Sequence, residues 1–261
     1  MKRMLVGLVL AAAAGEATAG LWGESCEYEA GREIAADLDG VSTIEVFALA
    51  GELEIRGEAG LSEIRVAGQA CSDREEVLDH IQLTGRRQGD RYLVAAEMPD
   101  WEAHQEWEDA QVRLDLEVRM PAGLALIVSD SSGDIVISDV ASLQLSDSSG
   151  DVEVETVPGI LLVVRDSSGD LRLSRVGEVT IELDSSGEIE ISSADSVTIG
   201  VDSSGDIRVS DVAGDVTVGV DTSGGIRATR VGGSLTVGSD TSGDIVTRDV
   251  KGTVSLPPNK R

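Results

Sequence analysis

Seven aspartates, Asp130, Asp147, Asp166, Asp184, Asp202, Asp221 and Asp240, each open an Asp-Ser/Thr-Ser-Gly tetrad. Six of the tetrads are followed at once by a second carboxylate: Asp134, Asp151, Asp170, Glu188, Asp206 and Asp244. Repeated carboxylates suggest calcium, a hard cation that takes several oxygen ligands. Repeated serines suggest a nucleophile, as in Asp221-Thr222-Ser223-Gly224-Gly225. A hydrolytic serine needs one positioned base. The two histidines, His80 and His104, both lie outside the tetrads, so the serine resemblance is read as chance. The carboxylates are read first as turn-capping groups in water, with the seven leading aspartates as weak candidate metal ligands. The spacing also differs from the Gly-rich nonapeptides of calcium-binding β-helices.

The second concentration of reactive types is the stretch Pro99 to Glu108, which holds Trp101, Trp107 and His104 among acidic residues. The tryptophans could meet a partner or a sugar ring. Covering the open end of a stack is the favoured role, and a metal site built on His104 is disfavoured. A column of Thr180, Thr198, Thr217 and Thr236 invites an ice-binding reading, but its flanks Glu182, Gly200, Gly219 and Gly238 make a poor regular array. Outward strand threonines are the simpler account.

The elements that position these residues follow from the tetrads' steps of 17, 19, 18, 18, 19 and 19 residues. So constant a period marks a solenoid. Five and seven residues after each leading Asp stand apolar pairs such as Ile135 and Ile137, or Ile189 and Ile191, and a further apolar residue follows at ten, as Val140 or Val176. Spacing of two is strand periodicity. A second alternating run, as in Val179 to Leu183, closes most units. The predicted fold is an all-β, single-stranded β-helix, right-handed because the coils lack strict hexapeptide regularity. Its coils are about 18 residues long, too short for propeller blades. Glycine and the Asp and Ser side chains suit the corner. An outward column Val136, Glu153, Arg172, Glu190, Arg208, Arg227, Val246 would stack mostly opposite charges.

The expected organisation is a leader at 1–19, an N-terminal β-rich region at 20–121, the regular coils at 122–256 and a tail at 257–261. Met1-Lys2-Arg3, an apolar run and Ala17-Thr18-Ala19 read as a signal peptide cut after Ala19. Glu24 and Ser25 before Cys26 argue against lipid attachment. The 20–121 region carries strand patterns around Ile34 and over 43–47, 52–55, 63–70, 81–87, 92–97 and 111–120. A short helix over 73–80 is capped by Ser72 or Asp73. Ala50-Gly51-Glu52-Leu53-Glu54-Ile55 reads as a decayed repeat unit. Cys26 and Cys71 pair as a disulfide in an oxidising compartment, two free thiols being the less economical reading. The formal net charge of −27 repels nucleic acid and anionic lipid, and no segment beyond the leader is long enough to span a bilayer. Prolines 257 and 258 with Lys260 and Arg261 read as an edge terminator.

Val118-Arg119-Met120-Pro121, then Leu124 to Val128, then repeated Ser-Gly-Asp-Ile-x-Val units resemble the bacterial putative-adhesin family of β-strand-repeat domains. The resemblance runs over roughly 32–256 and departs at Ala122, where a basic residue often follows the Pro. It implies a β-helical architecture and carries no catalytic residues. The function read here is therefore an exported, non-catalytic, adhesin-like scaffold for a cell-envelope or surface component, protein or glycan. It would be periplasmic, extracellular or on the cell surface, with no cofactor. A calcium-binding structural protein and a polysaccharide-active β-helix enzyme are the alternatives.

Overall fold

The computed structural model describes residues 26–107 and 109–258. The expected leader and the last three tail residues lie outside them. Alternation of apolar and polar residues makes nearly every element a strand. The N-terminal part contains β1 (Tyr28–Asp37), β2 (Thr43–Phe47), β3 (Leu53–Glu58), β4 (Glu63–Ser72), β5 (Gln82–Gln88), β6 (Arg91–Glu97) and β7 (Val112–Pro121). The repeats begin with β8 (Ala125–Ser129), β9 (Ile135–Ser138) and β10 (Ser142–Ser146). They continue through the long strands β11 (Val152–Arg165), β12 (Leu171–Asp184) and β13 (Ile189–Asp202). The series closes with β14 (Ile207–Val212), β15 (Val216–Asp221), β16 (Ile226–Val231), β17 (Leu235–Asp240), β18 (Ile245–Val250) and β19 (Val254–Ser255).

These strands stack in parallel as a two-walled β-solenoid, with one strand of each coil in each wall. One wall runs β6, β2, β8, β10, the second halves of β11 to β13, then β15, β17 and β19. The other runs β7, β3, β9, the first halves of β11 to β13, then β14, β16 and β18. Equivalent residues pair in register, as Ile189 with Ile207 and Ile207 with Ile226. A continuous aliphatic core of Val, Ile and Leu fills the space between the walls.

Chain order and stacking order part company at one end. The coil β2–β3 is followed by β4 and β5, yet β6–β7 stacks beneath β2–β3 and β8–β9 above it. The decayed unit at Gly51 is thus a true coil. Below it, β4 and β1 extend one wall antiparallel, and β5 pairs antiparallel with β6. The expected helix is a 3-10 segment, Glu75–His80, with Arg74 at its N-cap and no side-chain cap bond. Ser72 and Asp73 instead bind the flanking chain, Ser72 Oγ accepting from Arg74 N at 3.1 Å and Asp73 Oδ1 from Gln111 N at 3.0 Å. Arg32 donates to the carbonyls of Leu78 and Ile81 and holds this segment against β1. The Cys26–Cys71 disulfide, with Cα atoms 5.6 Å apart, ties the start of β1 to the end of β4.

Length variation among repeats falls in two places. Residues 158–160 lengthen the corner between the first and second runs, as the spacing predicts. A bulge also appears within the second run itself, where Leu145 pairs with Val163 but Ser146 with Arg165. A bulge absorbs one residue without inverting the strand's faces.

Candidate functional site

The Asp-Ser-Ser-Gly edge is built by the corner that joins the two walls, and each letter has its own bond. The second hydroxyl of each tetrad donates to a carbonyl one coil below: Ser149 to Ser131 at 3.1 Å, Ser186 to Ser167 at 3.1 Å, Ser223 to Ser203 at 3.2 Å. The glycines adopt φ between 106° and 136°. A Cβ at Gly205 would overlap the carbonyl oxygen of Gly187, so this column excludes any side chain. Each repeated serine thus serves the corner, and Ser223 has the same partner as its equivalents.

The carboxylate after the glycine points outward and reaches up the stack. Asp134 Oδ1 accepts from Asp151 N at 2.9 Å, Asp151 from Asp170 N at 2.9 Å, Asp170 from Glu188 N at 3.0 Å, and Asp206 from Gly225 N at 2.8 Å. Hydrogen bonding to the ionised form lowers a carboxyl pKa. Asp151 shows this, with the Asp170 amide as the main cause and Arg172 as a further one. Two arginines of the outward column bind these carboxylates, Arg172 to Asp170 at 2.6 Å and Arg208 to Asp206 at 2.7 Å. Glu153, Arg172, Glu190 and Arg208 stack in register as expected, with Arg227 next to Arg208, while the ion pairs of Arg172 and Arg208 run to the neighbouring column of carboxylates.

The leading aspartates correct the sequence reading most sharply. They were expected in water, but they point into the rod. Asp130 is 6 % exposed, Asp147 2 %, and Asp166, Asp184, Asp202, Asp221 and Asp240 between 0 and 2 %. In the first two tetrads strand alternation runs on into the corner: Leu126, Val128 and Asp130 all face inward, as do Leu143, Leu145 and Asp147. In the other five the aspartate lies three residues after the last inward aliphatic, as Asp184 after Ile181, the extra residue being taken up by the bulge in the second run. The two-residue step at Asp130 and Asp147 was the available signal for burial. Their in-register partners are each other, Asp184 with Asp202, Asp202 with Asp221 and Asp221 with Asp240. A bridge also joins Asp166 to Asp184.

Burial disfavours the charged form, and it is the leading cause of a raised pKa at Asp130, Asp147, Asp166, Asp184 and Asp202. Asp130 is pushed up to about 7 and Asp166 to about 7, with the Asp147 charge as the next cause for both. Asp184, between Asp166 and Asp202, is pushed up to about 8, and Asp202 to about 6. Asp147 is raised as well. Amides of the two following serines pull the other way, as Ser204 N does on Asp202 Oδ1 at 3.1 Å, without offsetting burial. Two ionised carboxylates about 5 Å apart repel by about 3 kcal/mol at an effective dielectric of about 20. A fully ionised column would work against the stack. Among the described residues, no group of three or more His, Cys, Asp or Glu side chains is disposed to hold a metal ion.

The stretch from 99 to 107 is a corner too. It leads from β6 toward β7 in the place where the repeats carry their tetrad, on the last parallel coil, and Trp107 packs on His80 of the 3-10 segment. The end is closed by β1, β4, β5 and the 3-10 segment. Trp107 is buried, and its ring stacks on His104 at a centroid distance of 4.0 Å, with His80 at 4.6 Å. Trp107 is thus enclosed and offers little ring surface to a sugar, while Trp101 is half-buried. The threonine column stands in register on the outside of one wall. Sequence reasoning placed a turn between the first and second runs but missed its left-handed backbone, where Asp139, Thr156, Arg175, Ser193, Asp211, Arg230 and Asp249 all adopt φ between 54° and 62°. The varied residue types there hid it.

No family model matches the chain, and no curated protein does. Several solved structures are similar in fold. A putative adhesin from Bacteroides fragilis is 12 % identical with a TM-score of 0.43, covering 90 % of this chain and 99 % of its own. A putative lipid binding protein from Parabacteroides distasonis is 15 % identical with a TM-score of 0.42, covering 88 % and 98 %. A putative cell adhesion protein from Clostridium sporogenes is 11 % identical with a TM-score of 0.31, covering 85 % and 99 %.

Proposed function

We propose that the protein is an exported, non-catalytic β-solenoid scaffold that binds a cell-envelope or surface component in the manner of an adhesin. The observation that carries this reading is the use of the corner chemistry. In copy after copy the hydroxyls, the glycines and the outer carboxylates bind the neighbouring coil, so these groups serve the rod and not a reaction. What remains for recognition is repetition on the outside, where acidic and basic columns recur at the coil spacing. A ligand with its own repeat, such as a surface glycan or an extended protein, matches that geometry.

The test is binding of the chain lacking residues 1–19 to envelope fractions and a glycan array, beside an acidic control protein of equal net charge. Retention above the control that survives 0.15 M salt is the expected result. Retention equal to the control's would leave only non-specific electrostatics and would sink the reading.

A further inference from the structure

The column of leading aspartates is buried, in register and continuous over seven coils, while Arg172 and Arg208 bind the outer carboxylates. We propose that this column is a proton-holding spine: at neutral pH several of its carboxyls stay protonated and hydrogen-bond to their neighbours along the rod, so that the corners tighten in acid and loosen in alkali.

The geometry makes protons the natural counter-charge. Asp184 and Asp202 are in-register neighbours, and Asp130 and Asp147 follow the paired Ser129 and Ser146 on adjacent coils, all four facing inward. A protonated carboxyl donates where an ionised one can only accept, so carboxyls in such a column can hydrogen-bond to one another only by keeping protons. For Asp130, Asp147 and Asp166 neither oxygen meets a donor in full hydrogen-bonding geometry, although the amides of the two following serines act on each. The charged groups that act on Asp130, Asp147, Asp166, Asp184 and Asp202 are members of the column and, on Asp166, the outer Asp151. All are acidic. The coil below Asp130 contributes Ala48 at the equivalent place and no titratable group.

The direction of the pH effect follows. These carboxyls have folded pKa values raised above the unfolded value of about 3.9. Their contribution to stability is therefore complete below about pH 4 and is lost as pH rises through 6 to 8. The outer carboxylates Asp151 and Asp211 have lowered values and act oppositely, losing their contribution as pH falls below about 4. Between pH 6 and 9 the buried column dominates.

The test is a potentiometric titration of the full folded chain against the same chain in urea. The native protein is expected to hold about three more protons than the unfolded chain at pH 6, and none by pH 10. Its melting temperature is expected to fall from pH 6 to pH 9. In Asp166→Asn/Asp184→Asn the excess should drop by about two protons and the fall in melting temperature should flatten. Infrared spectra of the unmodified protein, with a protonated-carboxyl band present at pH 6 and gone at pH 9, give a readout that survives a variant that fails to fold. Coincident native and unfolded titrations between pH 5 and 9 would overturn the proposal. So would a melting temperature that rises on adding calcium at pH 7 with release of the same protons, since the column would then be a cation site. None of these outcomes depends on what the scaffold binds.

Discussion

The coils β2–β3 and β6–β7 and the coils of the repeats are the same object made from different residues. Both place one strand in each wall and stack in register. The repeats build their corner from Asp-Ser-Ser-Gly, whereas the coil β2–β3 uses Ala48-Leu49-Ala50-Gly51 and the coil β6–β7 uses the long stretch through Trp107. Gly51 keeps positive φ and lies beneath Gly133, whose Cβ would overlap its carbonyl oxygen. Ala48 occupies the place of the leading aspartate and is just as buried. The difference separates requirement from addition. Close approach of backbone to backbone at the glycine is required for a corner of this kind, and a carboxyl in the column is not.

That comparison can be broken most violently at a glycine. Gly205→Ala should cost more than about 4 kcal/mol and abolish the cooperative melt of the repeats. Gly60→Ala, at a turn of positive φ but with open space around it, should cost about 1 kcal/mol. Equal losses at the two sites, measured by urea denaturation, would show that stacking contact at the corner is not what the glycine provides.

The next effect belongs to the other region. Cys26→Ala/Cys71→Ala removes a link closing a loop of 45 residues, which should cost about 3–4 kcal/mol by loop entropy. The loss should be confined to β1, β4 and the 3-10 segment. Hydrogen exchange that loosened the repeats as much as this end would contradict the division.

The smallest change sharpens the contrast. Ala48→Asp extends the carboxyl column by one coil into the region that lacks it. It should cost about 1–3 kcal/mol, with the loss larger at pH 8 than at pH 5. A pH-independent cost would mean that the added carboxyl avoids the column.

Much of this was legible from spacing. Residues 43–47 were marked as a strand and form β2, and 63–70, 81–87 and 92–97 match β4, β5 and β6 to within two residues at their ends. The decayed unit at Gly51 was recognisable because Leu53 and Ile55 keep the two-residue step, and the cysteine pair because only two were present. The burial of Asp147 was not seen, although Leu143 and Leu145 pointed toward it, because an aspartate beside Ser-Ser-Gly resembles an exposed turn in every local respect. The left-handed residues of the second corner were invisible for a different reason: Thr156 and Arg175 stand there as well as Asp139, so no column of one type marks it.

Local chemistry therefore settled the period, the inward faces of the strands and the place of the glycines, since each depends on steps of two and eighteen along one chain. Only the folded stack decided that β6–β7 slides beneath β2–β3, that Arg172 turns to Asp170 instead of to Glu190, and that seven aspartates share one dry column. Those outcomes depend on what lies one coil above and below, a distance set by hydrogen bonding between strands and not by neighbours in sequence.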